Sequence, residues 1–341
     1  MRLLLVAGVL LLTAGPASAD PAVPVDLCTV SDQRLEELSG FASEGERWFA
    51  VNDSDNGGIA VQVLGRDCAV LDTITAPANP FDVEDLALAP DGRLWLADTG
   101  DNGRSRETVA LHVVSPDGSA DLFRLTYPDG AHDAEAILLD RQGTPYIVTK
   151  EPIGSALVYR PTGPLNADAP TPMEQVASVW ISGTDTPGGP VQSAVVTRLV
   201  TGGAVSHDGR VVALRTYTDA YLFPVPNDDL VAAFKSQPVR VPLPDEAQGE
   251  AIAFDPDGTL LSASEFGKTG TSSAVRAVAG AAALAVPAPP STTSVPPPAP
   301  GDNVAAAQDT PSDRPVWPVI GFGVVAFVLI AAFVRRARRR A

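Results

Sequence analysis

Between residues 35 and 266 short apolar runs alternate with polar ones, and one hairpin pattern recurs five times. A first apolar strand begins at Leu38, Val83, Ala134, Val200 and Gly249. A glycine-bearing turn follows: Glu44-Gly45, Pro90-Asp91-Gly92, Gln142-Gly143, His207-Asp208-Gly209 and Pro256-Asp257-Gly258. A second apolar strand then ends in polar residues. Asp-Gly between apolar runs is a strong hairpin signal. The second residues of the first strands, 39, 84, 135, 201 and 250, are spaced 45, 51, 66 and 49 apart. In four copies the second strand ends 14 residues later, at Asp98, Thr149, Arg215 and Ser264; in the first it reaches Asn52 after 13. Further strand-like runs follow the hairpins, as in 108–114 with 120–127. Four strands per period of about 40–50 residues predict an all-β fold, a β-propeller of five blades. The 66-residue gap leaves room for a sixth, degenerate blade in 171–199. The last copy holds three strands, so the N-terminal run Val25–Val30 is expected to supply the fourth and close the ring. Residues 228–235 are the one convincing short helix.

Outside this region the pattern changes. Residues 1–19 carry Arg2, an apolar run and Ala17-Ser18-Ala19, the form of a secretory signal. Residues 24–276 are the expected extracytoplasmic propeller. Residues 277–315 are mostly Ala, Pro, Ser and Thr, a composition that reads as a stalk. Residues 316–334 are uncharged and as a helix would cover roughly 28 Å, one hydrocarbon core. Five arginines in 335–341 follow and fix that tail in the cytoplasm. The expectation is a single-pass type I protein of the cell membrane, held by its own helix, with the propeller outside.

Setting aside Arg2 and the tail arginines leaves 18 cations against 41 acids, a net charge of −23. Such a surface excludes nucleic acid as a partner and favours a small-molecule or cation-bridged ligand; no protein partner is legible. Both cysteines, Cys28 and Cys68, lie in the exported part, where an even count favours one disulfide. Closing that loop of about 41 residues contributes roughly 4 kcal/mol in the chain-entropy view. Cys28 would sit on the closing blade and Cys68 on the first.

If each hairpin forms the inner half of a blade, first-strand starts and second-strand ends share one face, and the turns share the other. The first face then gathers Asn52, Asp53, Asp55, Asn56, Glu84, Asp85, Asp98, Asp101, Asn102, Glu135, Glu250 and Glu265. Against these stand Lys150, Arg215 and Lys268. Converging carboxylates repel and are costly to bury unpaired. A bound Ca²⁺, taking six to eight oxygens, would resolve the repulsion. The alternative is that each acid caps its own loop.

Four segments carry a family resemblance: Asp82-Val83-Glu84-Asp85, Asp98-Thr99-Gly100-Asp101-Asn102, Asp133-Ala134-Glu135-Ala136 and Gln248-Gly249-Glu250-Ala251-Ile252. With them the chain resembles the β-propeller phytases and the exported propellers described as phytase-like or esterase-like. The resemblance runs through 35–266 as scattered short motifs. It implies that Glu84, Asp98, Asp101, Glu135 and Glu250 are metal ligands, and that Lys150 and Arg215 contact an oxyanion. This face has few cations for a polyphosphate substrate, and Thr201-Gly202-Gly203 carries no acid.

The first functional reading is a Ca²⁺-associated ligand-binding module. The second is a metal-dependent phosphoric monoester hydrolase. The third is a lactonase-like hydrolase using Glu84, Asn102 and Asp98. No catalytic residue is assigned. Gly267-Lys268-Thr269 lacks the rest of a P-loop, and no Gly-x-Ser-x-Gly is present. His112 and His207 read as structural, Trp180 as packing, and His132 as a loop hydrogen-bonding residue rather than a general base.

Overall fold

The computed structural model describes residues 23–53, 58–267 and 270–286. The signal segment, most of the stalk, the expected membrane span and tail, and Asp55, Asn56 and Lys268 lie outside the described residues. Among the described residues no helix is long and apolar enough to cross a membrane.

Among the described residues, twenty strands form five four-stranded antiparallel meanders. Strand β1 (Val25–Val30) comes first in the chain but belongs to the last meander. The first meander is β2 (Leu38–Ser43), β3 (Trp48–Asn52), β4 (Ile59–Leu64) and β5 (Val70–Ala76). The second is β6 (Val83–Leu88), β7 (Leu94–Asp98), β8 (Val109–Val114) and β9 (Ala120–Thr126). The third is β10 (Ala134–Leu139), β11 (Pro145–Thr149), β12 (Ala156–Pro161) and β13 (Thr171–Val179). A short parallel pairing of Thr171 and Pro172 with Leu125 and Thr126 joins the second and third at their outer edges. The fourth is β14 (Val200–Val205), β15 (Val211–Thr216), β16 (Asp219–Pro224) and β17 (Val239–Pro242). In the fifth, β18 (Gly249–Phe254), β19 (Leu260–Ser264) and β20 (Ser273–Val278) are completed by β1, antiparallel to β20. The first strands β2, β6, β10, β14 and β18 neighbour one another in a closed cycle, β18 returning to β2. This is the arrangement of a β-propeller.

The strands form here because both faces of each sheet are covered. Apolar clusters alternate around the ring between adjacent meanders, such as Leu86, Leu96 and Val114 against Val51 and Val61. The turn glycines Gly45, Gly92, Gly143, Gly209 and Gly258 all have φ between +71° and +100°, where a Cβ is strained. The Cys28–Cys68 disulfide ties β1 to the turn between β4 and β5, so it joins the closing strand to the first meander.

The chain between β13 and β14 holds no strand, only a short 3₁₀ turn at Val196–Arg198. It is pinned by the buried Asp219 carboxylate, which accepts from Thr184 Oγ1 (2.7 Å) and Thr186 Oγ1 (2.8 Å). The long gap is therefore an anchored loop. The short helix α1 (Leu230–Ala233) is capped by Asp229, which accepts from Ala232 N (3.0 Å). Ordered packing continues past the expected boundary at 276. Strand β20 runs to Val278, and α2 (Ala281–Ala285) buries Ala281 and Ala285 against Val211 and Phe254, so the alanines after 276 first close a core. Trp180, expected to pack, stands in solvent with 61% exposure, under the Arg198 guanidinium.

Candidate metal centre

Each first strand carries the same backbone irregularity. Its register against the second strand skips one residue: Ser39, Glu84, Glu135, Thr201 and Glu250. A β-bulge leaves that residue out of the ladder and re-aims its side chain. The five positions with regular sequence spacing are thus five equivalent bulges. Two carry hydroxyls that tie adjacent first strands: Ser39 Oγ donates to Glu84 O (2.5 Å), and Thr201 Oγ1 to Gly249 O (2.8 Å). Three carry glutamates.

A second repeated contact frames the bulges. In four of the five meanders a residue just past the second-strand end donates its N–H to the backbone oxygen of the residue two before the bulge. The pairs are Asp53 to Glu37, Gly100 to Asp82, Lys150 to Asp133 and Glu265 to Gln248, at 2.9–3.2 Å. Asp82 and Asp133 are therefore held beside Glu84 and Glu135. Gly100 makes room for them, since a Cβ there would lie 2.1 Å from Glu84 Oε1 and 2.5 Å from Asp82 Oδ2.

One carboxylate oxygen from each of Glu84, Asp133 and Glu135 lies within 4.8 Å of the others, and all three are buried. Lys150 Nζ donates to Glu135 Oε1 (2.5 Å). Glu135 Oε2 and Glu250 Oε2 are buried without a hydrogen-bond partner. Orphaned, almost fully buried carboxylate oxygens in an all-oxygen cluster fit a hard divalent cation. Burial, then the neighbouring Glu135 and Asp82, hold the Glu84 carboxyl well above the usual carboxylate range. Burial, then Glu265 and Glu135, do the same to Glu250. Glu135 is pushed up to about 7 by burial and Asp133 against the opposing pull of Lys150. Asp82 is pushed up to about 6 by burial and Asp133. Burial disfavours the Lys150 ammonium, but Glu135, Tyr217, Glu250 and Asp133 outweigh it and its pKa rises.

The structure brings Glu84 and Glu135 together and sets Glu250 electrostatically beside Glu135 and Lys150. Asp98 and Asp101 do other work. Asp98 accepts from Arg106 Nη2 (2.9 Å) and from the Phe81 and Asp82 amides, and faces His112 Nε2 (3.1 Å). Burial opposes its charge, but these partners hold its pKa below the usual value. Asp101 accepts from the Ser105 and Arg106 amides and folds its own loop.

Arg215, expected at the open face, is engaged inside the protein. It is 0% exposed, and its guanidinium donates to Ala251 O, Ala263 O and Glu246 Oε2. The β14–β15 hairpin closes one residue later than those of the second, third and fifth meanders, with Ser206 N bonding Val211 O where Asp140 N bonds Thr144 O. Register therefore pairs Thr216, not Arg215, with Val200. A one-residue shift sends a strand side chain to the opposite face.

Asp133 is the member of the buried triad that the sequence-based set lacks. Its signal was the shared Asp-x-Glu of Asp82-Val83-Glu84 and Asp133-Ala134-Glu135, whose outer residues share one side of a strand. His132 stands between carboxylates, Nε2 3.1 Å from Asp129 and Nδ1 3.3 Å from Glu151, which holds it as a loop residue.

Behind the cluster, Asp85 reaches into the middle of the ring. Its Oδ2 accepts from Ile137 N (2.9 Å) on β10 and Gly203 N (3.1 Å) on β14, two meanders away. On the turn side of Asp85 lies a cavity of about 430 Å³ lined by all five first strands.

No family model and no curated protein matches the chain. Among solved structures, a gluconolactonase from Xanthomonas campestris is 15% identical with TM-score 0.44, over 75% of this chain and 89% of that one. A glucose dehydrogenase is 13% identical with TM-score 0.41, over 76% and 99%. A streptogramin B lyase is 10% identical with TM-score 0.39, over 75% and 96%. These likenesses concern the fold, and none carries the chemistry argued here.

Proposed function

We propose that the protein is a five-bladed propeller that binds a divalent cation through Glu84, Asp133 and Glu135 and uses it to hold an oxygen-rich small ligand. The observation that carries this reading is the buried triad, with Glu135 Oε2 lacking any partner. Carboxylate oxygens suit Ca²⁺ or Mg²⁺ over soft transition metals, and Ca²⁺ tolerates the irregular geometry of a rim built from different blades. Glu250 would complete the negative field from the far side.

A second reading, metal-dependent hydrolysis, is favoured by Asp82. A cation would supply Lewis-acid polarisation of a ligand oxygen. Asp82, with a pKa near 6 beside Glu84, is suited to accept a proton near neutral pH. The phytase-like form of this reading lacks the expected cationic clamp, because Arg215 is turned away and Lys150 is bound to Glu135. Phosphomonoesters, phytate and lactones assayed with Ca²⁺ and with chelator separate binding from hydrolysis; absence of turnover with every metal removes the enzyme.

Thermal melts with and without EDTA test the cation directly, because a ligand that binds only the folded state raises its melting point. An unmoved midpoint, with no Ca²⁺ uptake by calorimetry, rejects it. The leader, stalk and C-terminal apolar run support an extracytoplasmic, membrane-anchored placement. Protease shaving of intact cells should remove the propeller.

A further inference from the structure

The strand ends that frame the cluster supply three residues per blade: Glu37, Asp82, Asp133, Leu199 and Gln248 before the bulges; Ser39, Glu84, Glu135, Thr201 and Glu250 at them; and Asp53, Thr99, Lys150, Tyr217 and Glu265 after the second strands. Eight of these fifteen are acids and Lys150 is the one cation. Its side chain is 14% exposed and its Nζ sits 2.5 Å from Glu135 Oε1. The same Nζ lies 5.2 Å from the ring centre of Tyr217, its own structural counterpart in the next blade. Tyr217 is itself buried against Val196 and Leu199 of the anchored loop. Lys150 thus has two seats: a carboxylate oxygen of the candidate metal triad and an aromatic face.

We propose that Lys150 is a tethered counter-cation, which holds the acid cluster together when no metal is bound and yields Glu135 to an incoming divalent ion. The proposal rests on the cation reading above. Lys150 and the ion compete for Glu135, while Tyr217 gives the displaced ammonium a place to remain. An ammonium so engaged is not available to clamp a substrate oxyanion. Its positive charge weakens cation binding by direct repulsion across a few ångströms of poorly screened space. In return the metal-free protein is spared a fully uncompensated cluster.

The test uses the purified full chain, Ca²⁺ as the probe, and the variants Lys150→Met and Lys150→Arg. Calorimetry should show Ca²⁺ binding about tenfold tighter in Lys150→Met than in wild type. In EDTA, Lys150→Met should melt below wild type, and saturating Ca²⁺ should narrow that gap. Lys150→Arg should stay close to wild type in both measurements. If Lys150→Met does not fold in EDTA, recovery of its folded signal on adding Ca²⁺ supports the proposal and failure to recover overturns it. Equal losses of melting temperature with and without Ca²⁺, or Ca²⁺ affinity unchanged or weakened in Lys150→Met, overturn it and leave the metal site standing. No Ca²⁺ uptake by wild type overturns both.

Discussion

The bulges of the third and fourth blades are the same backbone defect with opposite chemical outcomes. At Thr201 the hydroxyl finds Gly249 O on the next first strand and the position becomes a suture between blades. At Glu135 the carboxylate finds one lysine, leaves Oε2 unpartnered and joins a negative cluster. Ser39 repeats the first outcome, and Glu84 and Glu250 share the charge of the second. The comparison teaches that the ring needs the bulge for its shape, and that the residue placed there decides whether the site holds the fold together or strains it.

The sharpest way to break the distinction is to exchange the outcomes. Thr201→Glu would bury a carboxylate beside Gly249 O and Glu250 and remove a hydrogen bond. It should cost more than about 4 kcal/mol, read as loss of the cooperative unfolding transition under conditions where wild type is folded. The converse double change, Glu84→Gln with Glu135→Gln, should act oppositely on the metal-free protein. Its melting point in EDTA should rise, because like charges are removed, while the shift on adding Ca²⁺ disappears. That shift in wild type should correspond to about 2.7 kcal/mol at a hundredfold excess over Kd.

Protons should mimic the cation to a smaller extent. Glu135 and Asp82 have folded pKa values of about 7 and about 6, above the 4.5 and 3.8 of the free groups. The folded state therefore holds more protons than the unfolded one in that interval, and stability falls as pH rises from about 4 to 7. Melts of the metal-free protein should be highest near the acidic end of this window, and Ca²⁺ should flatten the profile. The smallest effect belongs to the sutures. Ser39→Ala or Thr201→Val should each cost about 1 kcal/mol by denaturant titration, without changing Ca²⁺ affinity.

The hairpin period was readable because turn glycines and apolar strands recur at nearly constant offset, which also located the bulged residues without revealing that they are bulges. The closing role of Val25–Val30 followed from counting strands. Arg215 was misplaced because the extra residue in the Ser206–Val211 turn was invisible to a fixed count of 14. Its partner Glu246 comes from a loop 31 residues away, and it settles over Gly249, where a Cβ would lie 1.7 Å from its Nη2. The family resemblance implied Asp98 and Asp101 as ligands, whereas in the structure Arg106, His112 and local amides engage their oxygens. Such contacts depend on side chains meeting from different strands, which spacing along the chain does not encode.

Asp85 also ties the ring across its middle. Through one carboxylate oxygen, β6 holds the backbone amides of Ile137 on β10 and Gly203 on β14. Loss of that single side chain would leave amides of two different meanders without their acceptor at once.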